Sequence, residues 1–219
     1  EAGKHVLVEK PMCYSAAEIS SIEKLSKLND LHVITDYTQT FSPSLRFIAS
    51  GNVGIGDIRA YDLSVSKLRS LSDVNSNSIH WLMVSHLLSI LDMFEPIDTF
   101  CYKSFTLCQS MGIPSNVLVA FSNGCLRASL DNPDGGYQII FYGRKGVATY
   151  SSASNPSIRA SYHTRQLSAL KGNVRRTTWN FREDNNLEPM LTYVRDVLSG
   201  HENSNFAMSA RVTKALASI

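Results

Sequence analysis

The stretch that decides the fold is His5–Tyr37, HVLVEKPMCYSAAEISSIEKLSKLNDLHVITDY. His5 to Glu9 reads as a short buried strand that ends at Lys10-Pro11. Ser15-Ala16-Ala17-Glu18 has the form of a capping box, in which a serine hydroxyl and a glutamate three residues on satisfy each other's backbone donors. Behind it Ile19, Ile22, Leu25 and Leu28 recur at helical spacing. Leu31 to Tyr37 is a second apolar strand. Strand, helix and strand within about 35 residues make a βαβ unit and imply parallel pairing. Two parallel strands are not viable alone, because both faces and both edges of such a sheet need cover. The chain opens at Glu1 and runs almost at once into a strand. The expectation is therefore that residues 1–37 are the C-terminal remnant of a larger parallel α/β domain whose first part lies upstream.

Outward from this unit the pattern changes. Pro43 starts a helix that runs to Ser50, Gly51–Gly56 closes it, and Asp57–Lys67 alternates as a strand. A polar loop over 68–78 leads to Ile79–Phe94, apolar at helical spacing and carrying His80 and His86. Strands follow near 97–108, 116–122, 124–131, 137–142, 146–151 and 173–182. Asn123-Gly124 between two alternating runs signals a hairpin, and Gly143–Gly146 marks another turn. Residues 152–172 read as a Ser-rich loop, and Glu188–Ser199 and Ala207–Ser218 as two closing helices. Residues 38–219 are thus expected to form an α+β domain, a mostly antiparallel open-faced sheet with helices on one face. The last helix is expected to pack back on the first domain. Val117, Leu118, Val119, Ala120 and Phe121 are apolar on both alternations. A half-solvated strand alternates more cleanly, so the open face is expected to pair with another copy, giving a homo-oligomer.

Composition removes several classes of function. With 21 Lys and Arg against 19 Asp and Glu the net charge is +2, and no basic run reaches four residues, so nothing supports nucleic-acid or anionic-membrane binding. No apolar run approaches the ~20 residues that span a bilayer. Cys13, Cys101, Cys108 and Cys125 form no C-x-x-C pair and sit in or beside apolar stretches. They read as buried free thiols, without zinc spacing, and cytoplasm is the expected compartment. His80 and His86 are six residues apart where a helical ligand pair needs four, so no metal site is expected. Arg175 and Arg176 read as a solvated strand edge.

Three features bear on chemistry. Glu9-Lys10-Pro11 stands at the carboxyl end of a strand, where open parallel sheets bind ligands. Lys10 there can donate to a substrate hydroxyl or a nicotinamide carboxamide, and Pro11 restricts the backbone that aims it. The bland alternative is a surface lysine at a turn. Gly51-x-x-Gly54-x-Gly56 resembles a phosphate cradle, but it follows a helix and opens a strand, the reverse of what a cradle needs. His86 among Met83, Val84, Leu87 and Ile90 is, by itself, a core or interface histidine. Trp81 suits stacking on a sugar or nicotinamide face, or core packing.

The wider string Glu1-Ala2-Gly3-Lys4-His5-Val6-Leu7-Val8-Glu9-Lys10-Pro11-Met12 is similar to the signature of the glucose–fructose oxidoreductase and inositol dehydrogenase (Gfo/Idh/MocA) family. Further similarity follows in register at Thr40-Phe41-Ser42-Pro43 and at Ser50-Gly51-Asn52-Val53-Gly54-Ile55-Gly56-Asp57-Ile58. Ser72-Asp73-Val74-Asn75, Trp81, Ser85-His86 and Ser89-Ile90-Leu91 resemble a branch that acts on nucleotide sugars. The resemblance implies a dinucleotide-binding Rossmann domain, of which residues 1–37 are the tail, followed by an open-faced substrate domain over 38–219. It implies NAD or NADP as cofactor, with the glycine loop upstream of Glu1 and with Glu9, Lys10 and Pro11 on the cofactor side. Lys10, polarising the substrate oxygen, and His86, acting as the acid/base, are then the catalytic candidates, and Asp73, Asn75 and Trp81 the substrate-binding ones. The implied activity is hydride transfer from a secondary alcohol of a sugar or nucleotide sugar. One departure stands out. The family carries Asp-x-x-x-His on its reactive helix, a spacing that puts both side chains on one face, and Leu82 occupies the aspartate's place. The competing reading is a non-catalytic relative, or a truncated product, serving as a ligand-binding or dimerisation module.

Overall fold

The structure is a computed structural model and describes residues 3–67, 79–108, 114–130, 135–152, 156–164, 173–181 and 186–219. Strand β1 (Val6–Glu9), helix α1 (Ala16–Leu28) and strand β2 (Val33–Asp36) form the expected βαβ unit. The two strands are parallel from Val6 opposite Val33 to Glu9 opposite Asp36. The capping box is made as its sequence prescribes: the Glu18 N–H donates to Ser15 Oγ at 3.2 Å and the Ser15 N–H to Glu18 Oε2 at 3.0 Å. Burial differs from expectation. Val6 and Leu7 are 47% and 48% exposed, and Leu25 and Leu28 also face solvent. β1 has β2 as its one partner among the described residues, so its apolar side chains lack cover that an apolar run alone cannot supply. Ile19 is buried with Met12 and Cys13 in a small core to which Phe206 and Ala210 contribute.

The second unit is an eight-stranded sheet of β3 (Ile58–Ser66), β4 (Lys103–Cys108), β5 (Pro114–Phe121), β6 (Gly124–Ser129), β7 (Gly136–Gly143), β8 (Gly146–Ser151), β9 (Ser157–Thr164) and β10 (Asn173–Asn180). Its order is β10-β9-β8-β7-β3-β6-β5-β4. β3 runs parallel to β6, and the remaining neighbours are antiparallel. The period-two pattern of β3 sends Tyr61, Leu63 and Val65 to the buried face and Asp62, Ser64 and Ser66 to the other. Helices α2 (Pro43–Ala49), α3 (Ser85–Asp92) and α5 (Phe206–Ser218) contribute to the core on the buried side, and α4 (Leu187–Leu198) precedes α5. Leu87, Leu88, Ile90 and Leu91 are fully buried in one cluster with Val119, Leu126, Ile139, Phe141 and Tyr150. Each such side chain contributes roughly 1.5–3 kcal/mol of burial free energy. Gly124 is required at the hairpin: a Cβ there would stand 2.1 Å from the Tyr61 carbonyl oxygen.

Two further expectations are corrected. Part of the Ser-rich stretch is strand β9, in which Ile158 and Ala160 are buried and paired between β8 and β10. Its inward positions alternate correctly, but serine and alanine carry too little hydrophobic contrast to show it. Of the thiols, Cys13 is buried and Cys125 partly so, while Cys101 is exposed just before an edge strand. Arg175 and Arg176 lie on edge strand β10 and are exposed.

The last helix packs against α1, β2 and α3. Asn205, at its N-terminus, accepts from the Thr35 N–H at 2.9 Å and donates to the Thr35 carbonyl at 2.7 Å. Ser209 Oγ donates to Thr35 Oγ1 at 2.8 Å. On α3, Asp92 receives both Nε and a terminal nitrogen of Arg211 at 2.8 and 2.7 Å. α5 therefore fixes the β1–β2 pair relative to α3. Among the described residues, no helix is long and apolar enough to cross a membrane.

Candidate active site

The carboxyl end of β1, the last residues of β3 and the start of the helix leading into α3 surround a cleft of about 640 Å³. Glu9, Lys10, Leu82 and His86 all line it, so the structure brings together the end of the first strand and the histidine helix, 76 residues apart by number (86 − 10). Lys10 donates through Nζ to the backbone carbonyl of Leu82. That carbonyl belongs to a π-wound turn, His80–Val84, in which the Ser85 N–H reaches back five residues to the His80 carbonyl. Such turns disturb the regular ladder and are frequent at functional sites. Position 82 thus serves Lys10 through its backbone, while its apolar side chain faces the cleft with His86.

His86 lies edge-on to the ring of Tyr137, with centroids 6.2 Å apart. Its Nδ1 is buried and has no hydrogen-bond partner among the described residues. Burial, and then the positive charges of Lys10 and Lys67, push the imidazole down to about 3. Leu82, not a carboxylate, stands one turn before His86, and the surroundings of His86 favour its neutral ring. Burial also lowers His80, whose buried Nε2 has no hydrogen-bond partner among the described residues, but His80 is not part of the cleft wall.

This makes an acid-stability prediction. The folded value of His86 lies below the ~6.5 of an unfolded histidine, so the unfolded chain binds more protons between those two pH values. The contribution of neutral His86 is complete above about pH 6.5 and is lost as pH falls toward 3. Denaturant unfolding should show the natural protein losing on the order of 3 kcal/mol more than His86→Leu across that window. Parallel curves for the two proteins would show that His86 is not held neutral by its surroundings.

The remaining predicted residues are placed as follows. Pro11 follows Lys10 but does not line the cleft. Trp81 packs against the main core and edge-on against Tyr14, with ring centroids 5.0 Å apart, and is not in the cleft wall. Asp73 and Asn75 lie outside the described residues. The sequence reading missed Tyr137, Lys67 and Gln39, which also line the cleft. Lys67 directly follows the alternation of β3, and Tyr137 is the second residue of β7. Strand ends at the mouth of a sheet were the available signal. Gly51–Gly56 lies between α2 and β3, the order that rules it out as a phosphate cradle.

Comparison of the sequence with protein-family models and with curated protein sequences gives no match. Comparison of the fold does. The chain is similar to UDP-N-acetylglucosamine 3-dehydrogenase from Acidithiobacillus ferrooxidans, with a TM-score of 0.85 and 11% identity over 100% of this chain and 71% of that one. It is also similar to a 3-ketoreductase from Actinomadura kijaniata, in complex with NADP and TDP-benzene, with a TM-score of 0.79 and 13% identity over 100% of this chain and 70% of that one. At such identities the likeness is one of fold: a βαβ unit followed by a large open-faced mixed sheet.

Proposed function

We propose that this chain is the substrate-handling part of a nicotinamide-dependent oxidoreductase acting at a secondary alcohol or ketone carbon of a sugar or nucleotide sugar. The observation that carries this reading is the convergence of Lys10, at the carboxyl end of a parallel strand, and His86 on the wall of one cleft. The signature resemblance at Glu1–Met12 and the likeness of fold to two sugar oxidoreductases support it. On this reading residues 1–37 are the tail of a Rossmann domain and 38–219 the substrate domain. The exposed side chains Phe105 and Tyr142 on the open sheet face belong to a surface that pairs with a second copy.

The described residues suit the reacting end of NAD or NADP: Glu9 and Lys10 at the strand end present a carboxylate and an ammonium to the cleft. They include no glycine loop ahead of a helix that would cradle the phosphates. When bound, the nicotinamide supplies the hydride donor or acceptor. Lys10 holds the substrate oxygen and, in ketone reduction, holds at Nζ the proton that this oxygen takes up. Burial and the nearby lysine charges disfavour the imidazolium, so His86 is a poor proton donor. It serves as a neutral hydrogen-bonding partner that orients the ring, and Leu82 keeps it so.

Turnover of a panel of nucleotide sugars and their keto forms with NAD(H) and NADP(H) by the full-length protein tests the reading. The natural protein is expected to be slow. Leu82→Asp should accelerate it roughly tenfold or more, because a carboxylate there faces His86 and favours the imidazolium. The substitution costs stability if the carboxylate is left unpaired, so unfolding is measured alongside rate. No turnover of any member by either protein would favour the non-catalytic reading.

A further inference from the structure

The wall of the Lys10–His86 cleft is uneven in the charge it offers a ligand. Besides His86 and Tyr137, its ionisable side chains are two lysines, Lys10 and Lys67, and one carboxylate, Glu9. Glu9 and Lys10 are neighbours at the end of β1. Lys67 comes from the other unit, one residue past the end of β3. Its backbone is fixed there, since the Lys67 N–H donates to the Ser129 carbonyl on β6 at 3.0 Å. On the other side of β3, Gly136 opens β7 opposite Ser66, and Gly135 precedes it. Both glycines line the cleft, and neither puts a side chain into the space beside Lys67.

What these groups already do narrows what a ligand must bring. Lys10 donates to the Leu82 carbonyl and, on the reading above, holds the reacting oxygen. Lys67 makes no ion pair among the described residues. Gln39 has its amide oxygen taken by Asn186 Nδ2 at 3.3 Å, so the group it keeps for a ligand is its NH2, a donor. The charge of Lys67 also reaches His86 and disfavours its imidazolium, which puts the ammonium within electrostatic range of the reacting end of the cleft. A cation and donors that lack acceptors call for an anion. We infer that Lys67 is a specificity-determining residue that pairs with an anionic oxygen group, carboxylate or phosphate, carried by the reacting sugar itself. The substrate is then a sugar acid or a sugar phosphate, and a neutral sugar leaves the Lys67 ammonium uncompensated. This substrate class rests on the proposed oxidoreductase reading; anion binding at Lys67 does not.

The test is binding to the full-length protein without dinucleotide, measured at low salt by calorimetry or ligand-observed NMR. The probes are methyl glucuronide, glucose 1-phosphate and methyl glucoside, which share one ring and differ in charge. At least one anionic probe is expected to bind roughly fivefold more tightly than methyl glucoside, the gain from one partly exposed ion pair. That ratio should shrink as salt is raised. A preference for the glucuronide assigns the group as a carboxylate, and a preference for glucose 1-phosphate assigns it as a phosphate. Lys67→Gln, at an exposed position where substitution rarely disturbs the fold, should bring the ratio below about twofold. Lys67→Arg keeps the charge and should keep most of the ratio. The inference is overturned if methyl glucoside binds as tightly as both anionic probes. It is also overturned if Lys67→Gln leaves the ratio unchanged, since the anion then sits on another cation. A preserved ratio without any hydride transfer removes the oxidoreductase reading and leaves an anion site. Turnover of neutral sugars with a ratio near one does the reverse.

Discussion

Lys10→Ala is expected to lower turnover of the full-length protein by ~10²–10⁴-fold, the usual contribution of a positioned proton-transfer group. The ammonium reaches the cleft from the end of β1 and is held there by the Leu82 carbonyl. The pH profile separates this role from simple binding. With an ammonium at Lys10 as the proton holder, ketone reduction by the natural protein should be nearly flat between about pH 6 and 8. Were His86 the donor, with its value of about 3, the rate would fall about tenfold per pH unit over the same range. A second readout needs no turnover. Removing the Lys10 charge takes away one of the two cationic contributions that depress His86. Its imidazole should titrate at higher pH in Lys10→Ala, though still below the ordinary value because burial is the larger cause. Full turnover in Lys10→Ala, or an unmoved His86 titration, would remove Lys10 from the site.

Arg211→Ala is expected to destabilise the fold by roughly 3–5 kcal/mol, the usual cost of breaking a buried ion pair from one side. The Asp92 side chain is 1% exposed and Arg211 meets it with two nitrogens. Without Arg211 the carboxylate keeps, among the described residues, the Ile97 N–H at 3.3 Å. The same loss releases the α5–α3 tie that helps hold β2, and through it β1, in place. The double variant Asp92→Asn, Arg211→Ala should recover part of the loss, because the uncompensated charge is then gone. Denaturant unfolding of the two variants checks this. Equal losses in both would mean that packing, not charge, sets the cost.

Much of this architecture could be read from the chain, and the exceptions have identifiable causes. The βαβ unit was legible because the capping box and two apolar runs agree. The alternation of β3 and the Asn123-Gly124 hairpin were legible because strand period and turn chemistry are local. β9 was not, since Ser157, Ala160 and Ser161 give alternation little contrast. The exposure of Val6 and Leu7 was not, since an apolar run looks the same whether or not a neighbour covers it. At the site, Lys10 and His86 stood out through resemblance and position. The π-wound turn, the Lys10–Leu82 bond and the place of Tyr137 depend on contacts far apart in sequence, and no local pattern encodes them. The same holds for the edge-on contact of Trp81 with Tyr14.

The order of the large sheet has a consequence for how the chain assembles. β4, β5 and β6 form one run of hairpins, and β7, β8, β9 and β10 another. Each run can zip from neighbours in sequence. β3 alone joins them, wedged between β6 and β7, yet it is the first of the eight to be synthesised. From Ser66 the ribosome must reach Gly124 before the nearer partner begins to exist, a wait of several seconds at ~5–20 residues per second. During that interval the apolar edge formed by Tyr61, Leu63 and Val65 has no strand beside it. The central strand of the finished sheet is therefore exposed to aggregation while the chain is being made, and the join that closes late is the one on which both halves depend.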